Sequence, residues 1–162
     1  MRLAIAPPPA MSFSRPPGCK REPPDRRTER PRMKGEVVAK YAIVVTSEHS
    51  EGNPGGQGRM VHALSAAKEF KEAGEEVTLW FHGVGVTWLA AFEARYDQFT
   101  RHYGGLFDEL RDSIGGACDF CAKKRFGVAE SAERLGVPAV GGEGQHHTIA
   151  TLVRDGWKVF TF

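Results

Sequence analysis

From residue 41 onward the chain alternates between short, nearly continuous apolar runs and longer stretches whose apolar positions recur at helical spacing. Tyr41 to Thr46 is a β-branched run of the kind covered on both faces of a sheet. After Ser47 to Gly58, which is expected to form a mobile loop, Met60, Ala63, Leu64, Ala67 and Phe70 mark one helix face, and Gly74 supplies a stop. Val77 to Phe81 is the second strand. His82 to Gly85 turns into a helix carrying Trp88, Leu89 and Phe92. A further helix carries Leu106, Leu110 and Ile114 and is expected to end at Gly115.

Beyond it lies an apolar segment holding Cys118 and Cys121, which runs into the basic, helix-favouring Lys123-Lys124-Arg125. A short helix is expected from about Ala129 to Leu135, closed by Gly136, and Val137 to Gly142 follows it. The last helix, roughly Gln145 to Arg154, should bury Ile149, Leu152 and Val153 before a closing strand, Trp157 to Phe162. Strands alternating with helices predict an α/β fold, a three-layer αβα sandwich with a mainly parallel sheet of about five strands.

Residues 1–34 break this pattern. They hold eight of the ten prolines and nine Lys/Arg against three Asp/Glu, with almost no periodic apolar positions. Such a segment buries too little surface to offset the entropy of ordering it. A disordered tail is expected there, either a misassigned translation start with Met33 as the true one, or a basic Pro-rich arm for an acidic partner. The folded domain is expected over residues 35–162. Cys19, in the tail, is incidental.

Without the tail, the remainder holds thirteen Lys/Arg against seventeen Asp/Glu, and this mildly acidic balance argues against a nucleic-acid surface. No apolar run approaches the roughly 20 residues that span a bilayer, and the apolar start is too short for a signal peptide. A soluble, cytoplasmic protein without a membrane partner is the expectation. Three cysteines are too few for a disulfide framework, and a C-x-x-C pair in this context points to reduced, metal-binding or reactive thiols.

In an open parallel sheet, sites gather at the carboxyl ends of the strands. Four features should meet on that edge: the loop after Thr46 with His49, His82 with its glycines, Cys118 with Cys121, and the turn before His146 and His147. A cysteine where a strand meets a helix N-terminus is stabilised as thiolate, and Lys123, Lys124 and Arg125 add positive charge within a turn. His146 and His147, at an expected helix start, would have their proton affinity lowered by the helix dipole; capping is the bland alternative.

Zinc is the rival use of the same atoms. Cys118 and Cys121 form a short clip, to which His146 or His147 adds a third ligand, and His49, His82 or His102 could complete the set. Two small buried hydrophobes are the structural alternative for the cysteines. The glycines from 52 to 58 lack both the P-loop ending and the dinucleotide fingerprint. Glu48, Glu51 and Glu143 offer acid–base groups, none of them singled out. A thioredoxin-like dithiol is disfavoured, because Cys118-Asp119-Phe120-Cys121 follows a long helical stretch.

The first strand with its glycine-containing loop, the long helix ending Ala73-Gly74, the Cys118-x-x-Cys121-Ala122-Lys123 segment running to Gly127, and the ending Arg154-Asp155-Gly156 before Trp157-Lys158-Val159-Phe160-Thr161-Phe162 together resemble the DsrE/DsrF-like (YchN-like) proteins over about residues 38–162. One residue more than that family's pattern stands in Lys123 to Phe126. The resemblance implies a compact α/β domain, commonly oligomeric, without an organic cofactor, in which Cys118 carries sulfur as a persulfide and Cys121 either resolves it or packs. It implies a sulfurtransferase or carrier whose partners are sulfur donor and acceptor proteins or small sulfane-sulfur species. In that role His49, His82, Lys123, Lys124, His146 and His147 would line the substrate. Trp88, Phe92, Tyr96 and Phe99 are expected mostly in the core, with some left for a homo-oligomer interface.

Overall fold

A computed structural model describes residues 38–50, 52–142 and 145–162, all within the unit Met33–Phe162. The tail, Cys19, Glu51 and Glu143 lie outside the described residues. Five strands form one sheet: β1 (Lys40–Val45), β2 (Glu76–Phe81), β3 (Ile114–Cys118), β4 (Ala139–Val140) and β5 (Lys158–Thr161), in the order β4-β3-β2-β1-β5. Every pairing is parallel, with Lys40 opposite Glu76 and Tyr41 opposite Lys158. The α/β sandwich expected from the alternating pattern is therefore present.

The helices are α1 (Pro54–Glu72), α2 (Thr87–Ala94), α3 (Gln98–Glu109), α4 (Ala129–Arg134) and α5 (Ile149–Arg154). Strand alternation divides the apolar residues between two faces. Ile43, Val45, Leu79 and Phe81 point into the main core with Met60, Leu64, Trp88, Phe92 and Phe107 from α1, α2 and α3, and Ala132 from α4. Ala42 and Val44 point the other way, onto Leu152 of α5 and the half-buried Trp80, Trp157 and Val159. One face is thus covered by four helices and the other by six residues of helix. No helix among the described residues is long and apolar enough to cross a membrane.

Several expectations fail for local reasons. The glycine stretch after residue 52 is no loop: α1 begins at Pro54, with Gly55, Gly56 and Gly58 in its first turns. Asn53 caps it, its Oδ1 accepting the Gly56 N–H at 3.1 Å, and proline at the first helical position is preorganised for the turn. Gly56 is glycine because a Cβ there would stand 2.4 Å from the Glu48 carbonyl oxygen. Replacing Asn53 by alanine should cost about 1 kcal/mol in urea unfolding, with an unchanged slope against denaturant; an unaltered midpoint would mean that the cap does not hold α1.

Ile114 opens β3 rather than ending a helix, because α3 stops at Glu109 and a 3₁₀ turn over Arg111–Ser113 redirects the chain. Gly115 and Gly116 lie inside the strand where neighbours come too close for a side chain: a Cβ on Gly115 would meet the Trp80 ring at 2.6 Å. The last helix starts four residues later than expected, at Ile149. It buries Leu152 but leaves Ile149 and Val153 exposed. Of the aromatic residues considered for an interface, Trp88 and Phe92 are fully buried and Phe99 packs against the core, so Tyr96 is the exposed one.

Candidate functional site

The strand β3 delivers Cys118 to its carboxyl end, and the chain turns immediately into a helical segment whose second half, Cys121–Arg125, is a π turn. The Phe126 N–H reaches back five residues to the Cys121 carbonyl at 3.0 Å, which takes up one residue beyond an α-helical turn. Both cysteines are free and fully buried at the rim of the main core.

The stretch 145–148, just before α5, brings His146 to the sulfurs. Its Nδ1 lies 3.4 Å from Cys118 Sγ and 3.3 Å from Cys121 Sγ, while the ring rests edge-on against Phe120. Among the described residues, these three side chains form the one group whose donor atoms, all within 4.8 Å of one another, could hold a metal ion.

His147, the next residue, turns away and stacks on Trp80, ring centres 4.7 Å apart and nearly coplanar, and His82 meets it edge-on at 5.4 Å. Of the three histidines expected at this edge, His146 meets the sulfurs, and His82 and His147 pack against each other beside it. Three ring nitrogens here, Trp80 Nε1, His82 Nε2 and His147 Nδ1, are buried without a hydrogen-bond partner. An unpaired buried polar atom is costly, and sites that bind something are where such costs persist.

Electrostatics differ from the expected picture in three ways. Burial first, then hydrogen bonding to Cys118 and its charge, push the Cys121 thiol up to about 11. The backbone N–H of Gly83 and the charge of Arg125 oppose this and are outweighed. Cys121 is thus a thiol at neutral pH, not an anion. Lys123 and Lys124 do not supply a field at the sulfurs: both are exposed, and the Lys123 ammonium is held by Asp119 at 2.9 Å. That ion pair borders a separate cavity of about 510 Å³, lined by Ala117, Ala122, Glu130 and Glu133 among others and by neither cysteine. Finally, burial, not a helix dipole, lowers the proton affinity of His147, since α5 begins only at Ile149.

His49 does not join the group. Its Nε2–H donates to Asp97 Oδ2 at 2.5 Å, its Nδ1 pairs with the Tyr96 hydroxyl at 3.1 Å, and Trp88 lies against its ring. Although burial opposes ionisation, the Thr100 N–H and hydroxyl and the His49 ring hold the Asp97 carboxyl below its usual range. This network ties the loop after β1 to the start of α3, so His49 serves architecture. His102 is exposed beside Tyr103 and is also outside the group.

His82 carries a pH signature. Burial, followed by the neighbouring charges of His147 and His146, brings its pKa from 6.5 down to about 4. The unfolded chain therefore takes up a proton at a pH where the folded protein does not, so His82 costs nothing above about 6.5 and destabilises the fold as the pH drops toward 4. Between those limits the loss should approach about 3 kcal/mol, and His147 adds to it with the same sign. Chemical denaturation in the presence of chelator should show it, with His82→Asn removing up to one proton from the slope; an equally steep variant would show that His82 does not set it.

Three contributors escaped the sequence pattern: the Gly83 N–H at Cys121, the Trp80 ring under His147, and the Tyr96–Asp97 pair that claims His49. Trp80 reads as core in its apolar strand, and only Gly115, whose Cβ would meet its ring, hints at a ring needing room. Comparison with known proteins finds no family model that matches the chain, and no curated protein or solved structure that matches it.

Proposed function

We propose that this protein carries sulfane sulfur on Cys118 and acts as a persulfide carrier or sulfurtransferase, as the resemblance to DsrE-like proteins implies. The observation that supports the reading best is the convergence of both thiols on one imidazole nitrogen. A thiol within reach of an imidazole has a base to take its proton, the arrangement that activates cysteine nucleophiles. Cys121, held as a thiol, is hydrogen-bonded to Cys118.

In the first step the Cys118 proton passes to His146 Nδ1, and the thiolate attacks the terminal sulfur of a polysulfide or persulfide donor. One S–S bond forms at Cys118, the donor's S–S bond breaks, and the shortened donor leaves as a thiolate that recovers the proton. No net oxidation occurs. In a second step the outer sulfur goes to an acceptor thiolate. Alternatively, Cys121 attacks Cys118 Sγ, which closes a Cys118–Cys121 disulfide and releases hydrosulfide. Because Cys118 is buried and His146 is exposed, the donor arrives from the His146 side, which favours small sulfane-sulfur species over bulky ones.

Intact mass of reduced, chelator-treated protein before and after polysulfide exposure is the test. A gain of one sulfur mapping to the peptide with Cys118 is expected. No gain in a mass that also lacks the two-hydrogen loss of a Cys118–Cys121 disulfide, or a gain confined to Cys121 after alkylation of the digest, would overturn the proposal.

A further inference from the structure

Sulfur transfer needs one thiol beside the His146 nitrogen, and the Cys118–Cys121–His146 cluster holds two. An imidazole Nδ1 offers one lone pair in the ring plane, which accepts one hydrogen. Two sulfurs nonetheless stand at nearly equal distances from it, 3.4 and 3.3 Å. The nitrogen accepts from only one of them at a time, whereas a single ion between the three atoms is bound by all three. The spacing suits an ion: a thiolate at about 2.3 Å and an imidazole nitrogen at about 2.0–2.1 Å from zinc, set at the tetrahedral angle, are about 3.6 Å apart.

The surroundings agree. The Cys118-x-x-Cys121 clip is the spacing used by structural and catalytic zinc sites, and soft sulfur donors with one imidazole select a thiophilic ion over calcium or magnesium. The adjoining wall contains His82, which is 8% exposed and whose Nε2 has no partner. The Gly83 N–H, hydrogen-bonded to Cys121, fixes the sulfur from the other side, as outer groups do around metal-bound thiolates.

We infer that Cys118 Sγ, Cys121 Sγ and His146 Nδ1 bind one zinc-type ion, with the fourth coordination position left to a small exogenous ligand such as water or hydrosulfide. The site stands on the geometry alone, whether or not Cys118 carries sulfur. If it does, zinc and sulfur loading compete, because the ion takes up the Cys118 thiolate charge that drives attack on a sulfane sulfur. Zinc would then hold the carrier in an unloaded form.

Full-length protein, reduced and metal-free, should take up one Zn²⁺ per chain in competition with a chromophoric chelator, and Co²⁺ should give thiolate charge-transfer absorption. His146→Ala, at an exposed position, should weaken Zn²⁺ by at least the roughly 10- to 100-fold that even an outer-shell partner is worth. Cys121→Ser should do the same and halve the Co²⁺ thiolate band, while His49→Ala should bind as the parent does. Polysulfide loading is then compared for zinc-saturated and chelated protein. Stoichiometric zinc that blocks loading, or zinc with no loading in either form, supports the site, the latter while removing the sulfur reading. Sulfur uptake without zinc binding, or zinc binding unchanged in both His146→Ala and Cys121→Ser, would overturn it.

Discussion

Cys118→Ser will fold and will take up no sulfur from polysulfide, whereas Cys121→Ser will still load one sulfur. The difference follows from position rather than from burial, which is complete for both. Cys118 closes β3, and Cys121, one turn later, is kept protonated with a pKa raised to about 11, so only a minute fraction of it is nucleophilic near neutrality. Serine keeps the hydrogen-bonding geometry toward His146 but its hydroxyl is not ionised and forms no persulfide, so the loss should be complete rather than graded. Circular dichroism and an unfolding midpoint close to that of the parent would show that the variant is folded. Equal loading of Cys118→Ser and parent would end the carrier reading. Loading lost in both variants would mean that the two sulfurs act as a unit, which the assigned roles do not allow.

Trp88→Ala will cost roughly 3–5 kcal/mol, a large part of the 5–15 kcal/mol that holds a domain of this size together. Trp88 has no exposed surface, packs against Phe92, Phe99 and the His49 ring, and donates its Nε1–H to the Ser47 carbonyl at 2.9 Å. Truncation therefore leaves a cavity and an unpaired carbonyl at once. Trp88→Phe separates the two effects. It retains most of the volume and should cost clearly less, with the residual loss reporting the hydrogen bond. A Trp88→Ala midpoint within 1 kcal/mol of the parent in urea unfolding would show that the ring is not part of the cooperative core.

How far the sequence carried can be argued from particular residues. Parallel strands buried on both faces are unbroken apolar runs, so Tyr41 to Thr46 and Val77 to Phe81 announced β1 and β2. The helix closed by Gly136 was equally plain, because that glycine takes φ +72 where a side chain is strained. The start of α1 was hidden by glycines of low helix propensity, although Asn53-Pro54 held the capping signal. Leu106, Leu110 and Ile114 keep helical spacing across a real break, and only the Gly115-Gly116 pair betrays the strand.

At the site, the cysteines and His146 were named from spacing and from strand order, but the lysines were not placed. Lys123 and Lys124 project from the π turn into solvent, and nearness to Cys121 along the chain did not become an ammonium turned toward the sulfur. His49 failed for a related reason. Its partner Asp97 is 48 residues away, and no local pattern encodes that pairing.

The fifth strand closes the sheet across a long span. It lies against β1, and the Phe162 carbonyl accepts from the Thr46 N–H and, at 3.0 Å, from the Thr46 hydroxyl 116 residues earlier in the chain. Loop closure over such a span is lost entropy before its hydrogen bonds return anything, so this edge should zip up after β1, β2 and α1 have already met. Until then the outer side of Ala42 to Val45 is an uncapped, apolar ribbon edge, the kind of surface on which chains pair with each other. Refolding is accordingly a race between β5 of the same molecule and β1 of another, and dilution favours the first.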